Sequence, residues 1–267
     1  MDDISERRYL PGNPGEPGTT HSDDEVLLVR PREAEIESII PDNDDWQPIV
    51  DTGAPPWRMI CALGIDTPRG TFRGTGWFAG PRTVVTAGHN IFDRARFGGW
   101  ADRITVAPGL NESDAPFSSF ESQELRTIQR WIDGEDPDFD CGAIVLDEPI
   151  GERTGWFFTA ALPDQDLQDA GANLSGYPVR SASGSQQLFH AKRILRTTPG
   201  RLFYAMDAEE GHSGSPIWIY QNDPTNPIVV GIHAAGVTAT PPALGILANS
   251  GVRISLATVA AIADWIS

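Results

Sequence analysis

From about Ile39 onward, short apolar runs alternate with clusters of Gly, Pro, Asn and Asp. The runs include "GTGWFAG", "TVVTAG", "RITVAPG", "GAIVLDEP", "GWFFTAAL", "RLFYAMD", "SPIWIY" and "PIVVGIHAAG". Segments of this length, rich in Val, Ile, Phe and Tyr and closed by turn residues, predict β-strands. Many of them in succession, with few helical stretches, predict a sandwich or barrels. One helix is predicted at the C-terminal end, where Val259, Ile262, Ala263 and Ile266 recur at helical spacing. No repeat at a solenoid period is present, and the pattern is that of a mostly β protein.

Residues 1 to 37 depart from this pattern. Pro and Gly crowd positions 11 to 18, charge dominates 21 to 37, and only "VLLV" at 26 to 29 is apolar enough to pack. Ten acidic and four basic residues give the segment a net charge of −6, out of −17 for the chain. That composition predicts a flexible leader, with the folded unit over residues 38 to 267. The opening "MDDISERRYLPGNPGEPG" lacks the apolar stretch of a secretory signal. No apolar run approaches the about 20 residues that span a bilayer, so no membrane partner is expected.

The acidic balance, with Lys192 the one lysine, argues against nucleic acid, whose phosphates need Lys and Arg. An acidic surface serves solubility, and a monomer is expected. Cys61 and Cys141 lie far apart in the runs "RMICALG" and "DFDCGAIVL", without metal-ligand spacing. Buried free thiols are expected, with one disulfide as the alternative should their strands meet. Neither a metal nor an organic cofactor is implied.

Three residues supply the groups that acyl transfer requires. His89, in "VVTAGHN", leaves a strand through a glycine turn, a position from which a side chain reaches a cleft between sheets. Asp140 opens the strand "CGAIVL" after the loop "DGEDPDF". A carboxylate at the mouth of a buried strand is costly without a hydrogen-bond partner. Asp138, two residues earlier, is the rival carboxylate. Ser213 lies in "EEGHSGSPIW", between a glycine turn and a strand. A serine hydroxyl is a weak nucleophile until an imidazole accepts its proton. A carboxylate then fixes the imidazole tautomer. Two backbone N–H groups, here those of Gly211 and Ser213, must face the developing oxyanion. The order His89, Asp140, Ser213 is specific, because unrelated folds carry these residue types in other chain orders.

"VVTAGHNIFD", "DFDCGAIVL" and "EEGHSGSPIW" resemble the His, Asp and Ser motifs of the chymotrypsin-fold serine proteases, in particular the bacterial glutamyl endopeptidases. "SIIPDNDD" (38 to 45), "LSGYP" (174 to 178), "VGIHAAG" (230 to 236) and "NSGVRIS" (249 to 255) extend the likeness from Ser38 to the end. The resemblance implies an all-β fold of two six-stranded antiparallel barrels with a C-terminal helix and a cleft between the barrels. It implies a serine endopeptidase acting on proteins or peptides, secreted, with residues 1 to 37 removed as a propeptide between Glu37 and Ser38. That junction suits self-processing by a glutamate-directed enzyme.

By the same resemblance His233 binds a glutamate at the cleaved position, through a hydrogen-bonding and at times cationic imidazole. Ala208 and Glu210 line the same pocket, and here the chain departs from its relatives. Ala208 stands where close relatives have a threonine donor, and Glu209 and Glu210 precede the oxyanion glycine, where they would repel an acidic side chain. Asp207 keeps a basic or mixed preference open as an alternative. His212, beside the serine, is expected to be structural. It also removes the aspartate with which pancreatic-type zymogens pair a new N-terminal amine, leaving the Ser38 amine to reach the pocket instead. His21 and His190 have no assembled partners and no role. A second reading is a binding or regulatory module that keeps the fold without turnover.

Overall fold

The structure, a computed structural model, describes residues 8–10, 46–179, 181–221, 223, 225–236, 244–246 and 248–267. Two short strands, β1 (Arg8–Leu10) and β2 (Gln47–Pro48), precede the first barrel. That barrel begins with β3 (Ile60–Thr67), β4 (Gly70–Phe78) and β5 (Thr83–Thr86). A small ribbon of β6 (Phe92–Asp93) and β7 (Gly99–Trp100) follows, then β8 (Arg103–Pro108), β9 (Phe120–Ser122) and β10 (Leu125–Thr127). A short helix, α1 (Gln129–Gly134), leads into β11 (Gly142–Val145).

The pairing order is β10-β11-β5-β4-β3-β8-β9. Only Gln123 and Glu124 separate β9 from β10, and Val145 N–H still reaches the Glu124 carbonyl at 3.0 Å. Residues 120 to 127 therefore act as one bent strand, pairing with β8 along the first half and β11 along the second. The bend turns the row into six staves and nearly closes the barrel. Its interior is lined by Leu63, Ile65, Phe78, Val84, Ile104, Val106 and Ile144, alternate residues of several strands, as a two-residue side-chain period requires.

The linking segment carries α2 (Gly151–Thr154), β12 (Phe158–Ala161) and α3 (Asp164–Leu167). The second barrel follows: β13 (Gly171–Gly176), β14 (Leu188–Thr197), β15 (Arg201–Tyr204), β16 (Pro216–Ile219), β17 (Ile228–Ala235) and β18 (Asn249–Arg253). It closes as β13-β14-β15-β18-β17-β16. β2 adds to β14, and β12 runs parallel to β17.

The helix read from the C-terminal sequence is α4 (Leu256–Ile266), capped by Ser255 Oγ, which accepts the Thr258 N–H at 3.3 Å. Its buried face is Thr258, Val259, Ile262 and Trp265, turned slightly from the expected one. Thr83 Oγ1 donates to the Trp265 carbonyl at 3.0 Å and anchors the helix against the first barrel.

The leader differs in one place from the flexible segment that its composition predicts. Arg8–Leu10 pairs antiparallel with β12, where an open sheet edge offers unpaired backbone groups. The expected propeptide junction Glu37–Ser38, the "SIIPDNDD" stretch and His21 lie outside the described residues. Both cysteines are free and fully buried, Cys61 in the first barrel and Cys141 in the cluster that joins the barrels.

Candidate active site

Sheet register brings the first two residues together. β5 and β11 are antiparallel neighbours with Thr86 opposite Gly142. His89, three residues past β5, and Asp140, two residues before β11, therefore leave the same end of adjacent strands. Asp140 Oδ2 lies 2.7 Å from His89 Nδ1, and its Oδ1 accepts the His89 backbone N–H at 2.8 Å. One carboxylate thus holds both ring and backbone of the histidine. Asp140 is 5% exposed, so the pair sits under little water. Asp138 points elsewhere: its carboxylate lies against Gly200 of the second barrel.

Ser213 comes from the second barrel, in the turn before β16. Its carbonyl accepts the Thr75 N–H at 2.9 Å and Asn90 Nδ2 at 2.9 Å, tying it to β4 and to the neighbour of His89. Thr75 Oγ1 also donates to the Gly211 carbonyl at 2.7 Å and accepts the Tyr177 N–H at 3.0 Å. One buried first-barrel threonine therefore sets the turn at two points. No hydrogen bond joins Ser213 Oγ to the His89 ring among the described residues, and bonds of this kind tighten when substrate binds.

The turn itself is shaped for an anion. Gly211 has φ +99°, and a Cβ there would run into the Tyr177 carbonyl. The Glu210 carbonyl accepts the Val179 N–H at 2.8 Å. Because the peptide is planar and trans, the Gly211 N–H points the opposite way. Neither the Gly211 nor the Ser213 N–H is hydrogen-bonded among the described residues. Ala208 and Glu209 are half-buried, whereas Glu210 is exposed.

His233 adjoins this turn through paired backbone bonds: its N–H donates to Ser215 O at 2.9 Å and its carbonyl accepts the Gly214 N–H at 2.8 Å. Tyr204 Oη lies 2.5 Å from His233 Nδ1. Burial holds the Tyr204 phenol well above its ordinary pKa. The Tyr204 hydroxyl has no other hydrogen-bond partner among the described residues, so its proton goes to Nδ1 and the ring proton sits on Nε2. Burial first, and then the nearby charges of His89 and Arg201, lower the His233 pKa to about 3. The imidazole is therefore neutral at ordinary pH.

The two histidines without an assigned role are also placed. His212 is fully buried, and its Nδ1 accepts the Glu209 N–H at 3.1 Å. His190 is not isolated: its Nδ1 accepts the Asp207 N–H at 3.0 Å and lies 3.9 Å from the Asp207 carboxylate. Thr75, Asn90, Tyr204 and Trp46 were not singled out from the sequence. The first two carried a usable signal, a polar residue inside the apolar run "GTGWF" and the residue next to His89. The others carried none.

No family model matches the chain. It is 34% identical over 233 residues to the glutamyl endopeptidase of Bacillus licheniformis, covering 86% of this chain and 69% of that protein. It is 28% identical over 221 residues to a Bacillus subtilis protein named extracellular metalloprotease, covering 82% and 67%. Among the described residues, no group of three or more His, Cys, Asp or Glu side chains could hold a metal ion. A solved Glu endopeptidase in complex with MPD matches the fold with a TM-score of 0.71 at 24% identity, covering 84% of this chain and 98% of that one. The protease Anisep from Arthrobacter nicotinovorans matches at 0.62 and 14%, covering 80% and 96%.

Two β-barrels and a C-terminal helix in this arrangement make a chymotrypsin-like fold, the fold of the solved Glu endopeptidase. More narrowly, the chain belongs to the glutamyl endopeptidase family, serine-type endopeptidases that act on protein or peptide substrates.

Proposed function

We propose that His89, Asp140 and Ser213 form the catalytic triad of an endopeptidase that prefers Glu, or Asp, before the cut. The observation that carries this reading is the double grip of Asp140 on His89, at 2.7 and 2.8 Å, in the cleft where Thr75 and Asn90 hold Ser213. With Nδ1–H donated to Asp140, His89 Nε2 is left to accept the Ser213 proton. Ser213 Oγ attacks the peptide carbonyl carbon, and the oxyanion is received by the Gly211 and Ser213 N–H groups. His89 returns the proton to the leaving amine, and water then releases the acyl group by the same steps.

The neutral His233 offers its Nε2–H to the substrate carboxylate, in a pocket that includes Ala208 and Glu210. Glu210 is exposed, so its repulsion of an acidic side chain is screened by water and salt. Residues 1 to 37 are a propeptide removed between Glu37 and Ser38. The mature chain is a monomer that works outside the cell, as the name of the Bacillus subtilis relative says of that protein. It binds neither nucleic acid nor membrane. No helix among the described residues is long and apolar enough to cross a bilayer.

The test is cleavage of a mixed peptide library by the full chain and by Ser213→Ala. Cuts after Glu that vanish in the variant are expected. Cuts after other residues would discard the glutamate assignment, and cuts that persist in the variant would discard the triad.

A further inference from the structure

We propose that Trp46 is a positioning residue for the active-site turn, a ring clamped between two histidines that each hold backbone of the specificity wall. β2 sets it in place. Gln47 pairs with Phe189 and Pro48 with Leu188, so the next step of the register brings Trp46 beside His190 on β14. The indole stacks on the His212 imidazole with centroids 4.2 Å apart and planes 12° apart, and meets the His190 ring edge-on at 5.3 Å. Both are favoured aromatic geometries.

What those histidines hold gives the contact its meaning. His212 Nδ1 accepts the Glu209 N–H, and His190 Nδ1 accepts the Asp207 N–H, at 3.1 and 3.0 Å. Residues 207 to 209 run directly into Glu210 and Gly211, whose shared peptide aims the oxyanion N–H. The His212 backbone lies inside the same turn: its N–H donates to Glu209 O at 3.0 Å and its carbonyl accepts the Ser215 N–H at 2.9 Å. Both rings accept from backbone, so both must keep one orientation for the wall to keep its path. Trp46 touches both rings at once.

The position beside the nucleophile carries a histidine here, so a carboxylate there cannot pair with an N-terminal amine. Stacking by Trp46 supplies order to the turn by a contact that needs no free amine. The device rests on the triad and oxyanion turn proposed above, which it serves without touching substrate.

The experiment compares Trp46→Phe with Trp46→Leu in the full chain, beside wild type and Ser213→Ala. A chromogenic Glu peptide gives kcat and KM, and thermal melting follows the fold. Leu keeps apolar bulk without a planar ring, so both variants are expected to melt within a few degrees of wild type. Trp46→Phe is expected to keep kcat within about threefold, because a smaller ring still stacks. Trp46→Leu is expected to lose about tenfold or more in kcat with KM within about threefold, since the oxyanion contact is made only in the transition state. Wild-type kcat in the Leu variant would overturn the proposal. So would equal losses in both variants, or a Leu loss that follows KM or the unfolded fraction. If wild type shows no turnover that depends on Ser213, on the Glu peptide or on the mixed peptide library, the triad reading fails and this inference falls with it. If wild type turns over and only the Trp46 results go the wrong way, the triad stands and this inference alone is lost.

Discussion

Tyr204 and His233 share a buried hydrogen bond of 2.5 Å between phenol oxygen and Nδ1, joining β15 to β17. With the phenol donating to Nδ1, the ring proton stands on Nε2, and in the proposed pocket that N–H is the donor offered to substrate. Tyr204→Phe leaves the packing and removes that constraint. The expected loss in kcat/KM for a Glu peptide is about tenfold, the order of one buried hydrogen bond. Cleavage of the matched Gln peptide should fall less, so steady-state kinetics on the pair reads the selectivity. An unchanged Glu-to-Gln ratio would show that the phenol plays no part in recognition.

The same burial predicts a pH dependence of stability. The His233 pKa is lowered from 6.5 to about 3, by desolvation first, then by His89 and Arg201, against an opposing effect of Asp140. Between those values the unfolded chain binds a proton that the folded chain refuses. Stability therefore falls as pH drops from 6.5 toward 3, while this ring contributes no slope above 6.5. His233→Gln should make the acid limb shallower by up to one proton, about 1.4 kcal/mol per pH unit. Denaturant midpoints measured across that range check it, and identical limbs would contradict the assignment.

Two nearby aspartates should behave very differently. Asp140→Asn replaces an acceptor of the His89 ring and backbone bonds by a group that can present an N–H to Nδ1, favouring the wrong tautomer. The expected fall in kcat is about 10³- to 10⁴-fold. Asp138→Asn, whose carboxylate faces Gly200, should stay within about threefold. Comparable losses in the two variants would return Asp138 to consideration.

These contrasts mark what could be read before the fold was known. His89, Asp140 and Ser213 each sit in a short run whose turn and strand signals are local, so motif and chain order together nominate them. Asp140 is preferred to Asp138 already by the likeness of "DFDCGAIVL" to the family's Asp motif, and the β5–β11 register brings it within 2.7 Å of the His89 ring. Thr75 and Trp46 make their contacts across the molecule, 136 positions from Gly211 in the first case, and no local pattern encodes such a meeting. The α4 face was read nearly right. Trp265 is buried where Ala263 and Ile266 are half-buried, and the larger apolar side chain takes the place in the core cluster. The N-terminal barrel needed the bend at residues 123 and 124 to reach six staves, a three-dimensional event with no signature in the apolar pattern.

The cysteines offer a last test, and it separates two readings that sequence left open. Cys61 lies on β3 inside the first barrel, while Cys141 precedes β11 in the cluster that joins the two barrels. Both are fully buried free thiols, and burial raises both thiol pKa values well above normal, which removes the reactive thiolate. A thiol reagent such as Ellman's should therefore find almost none in the folded chain and both in denaturant without reductant. Melting should not change when a reductant is added, because no covalent link constrains the unfolded chain. Absence of reactive thiol after denaturation, with recovery only on reduction, would instead show that the two residues pair.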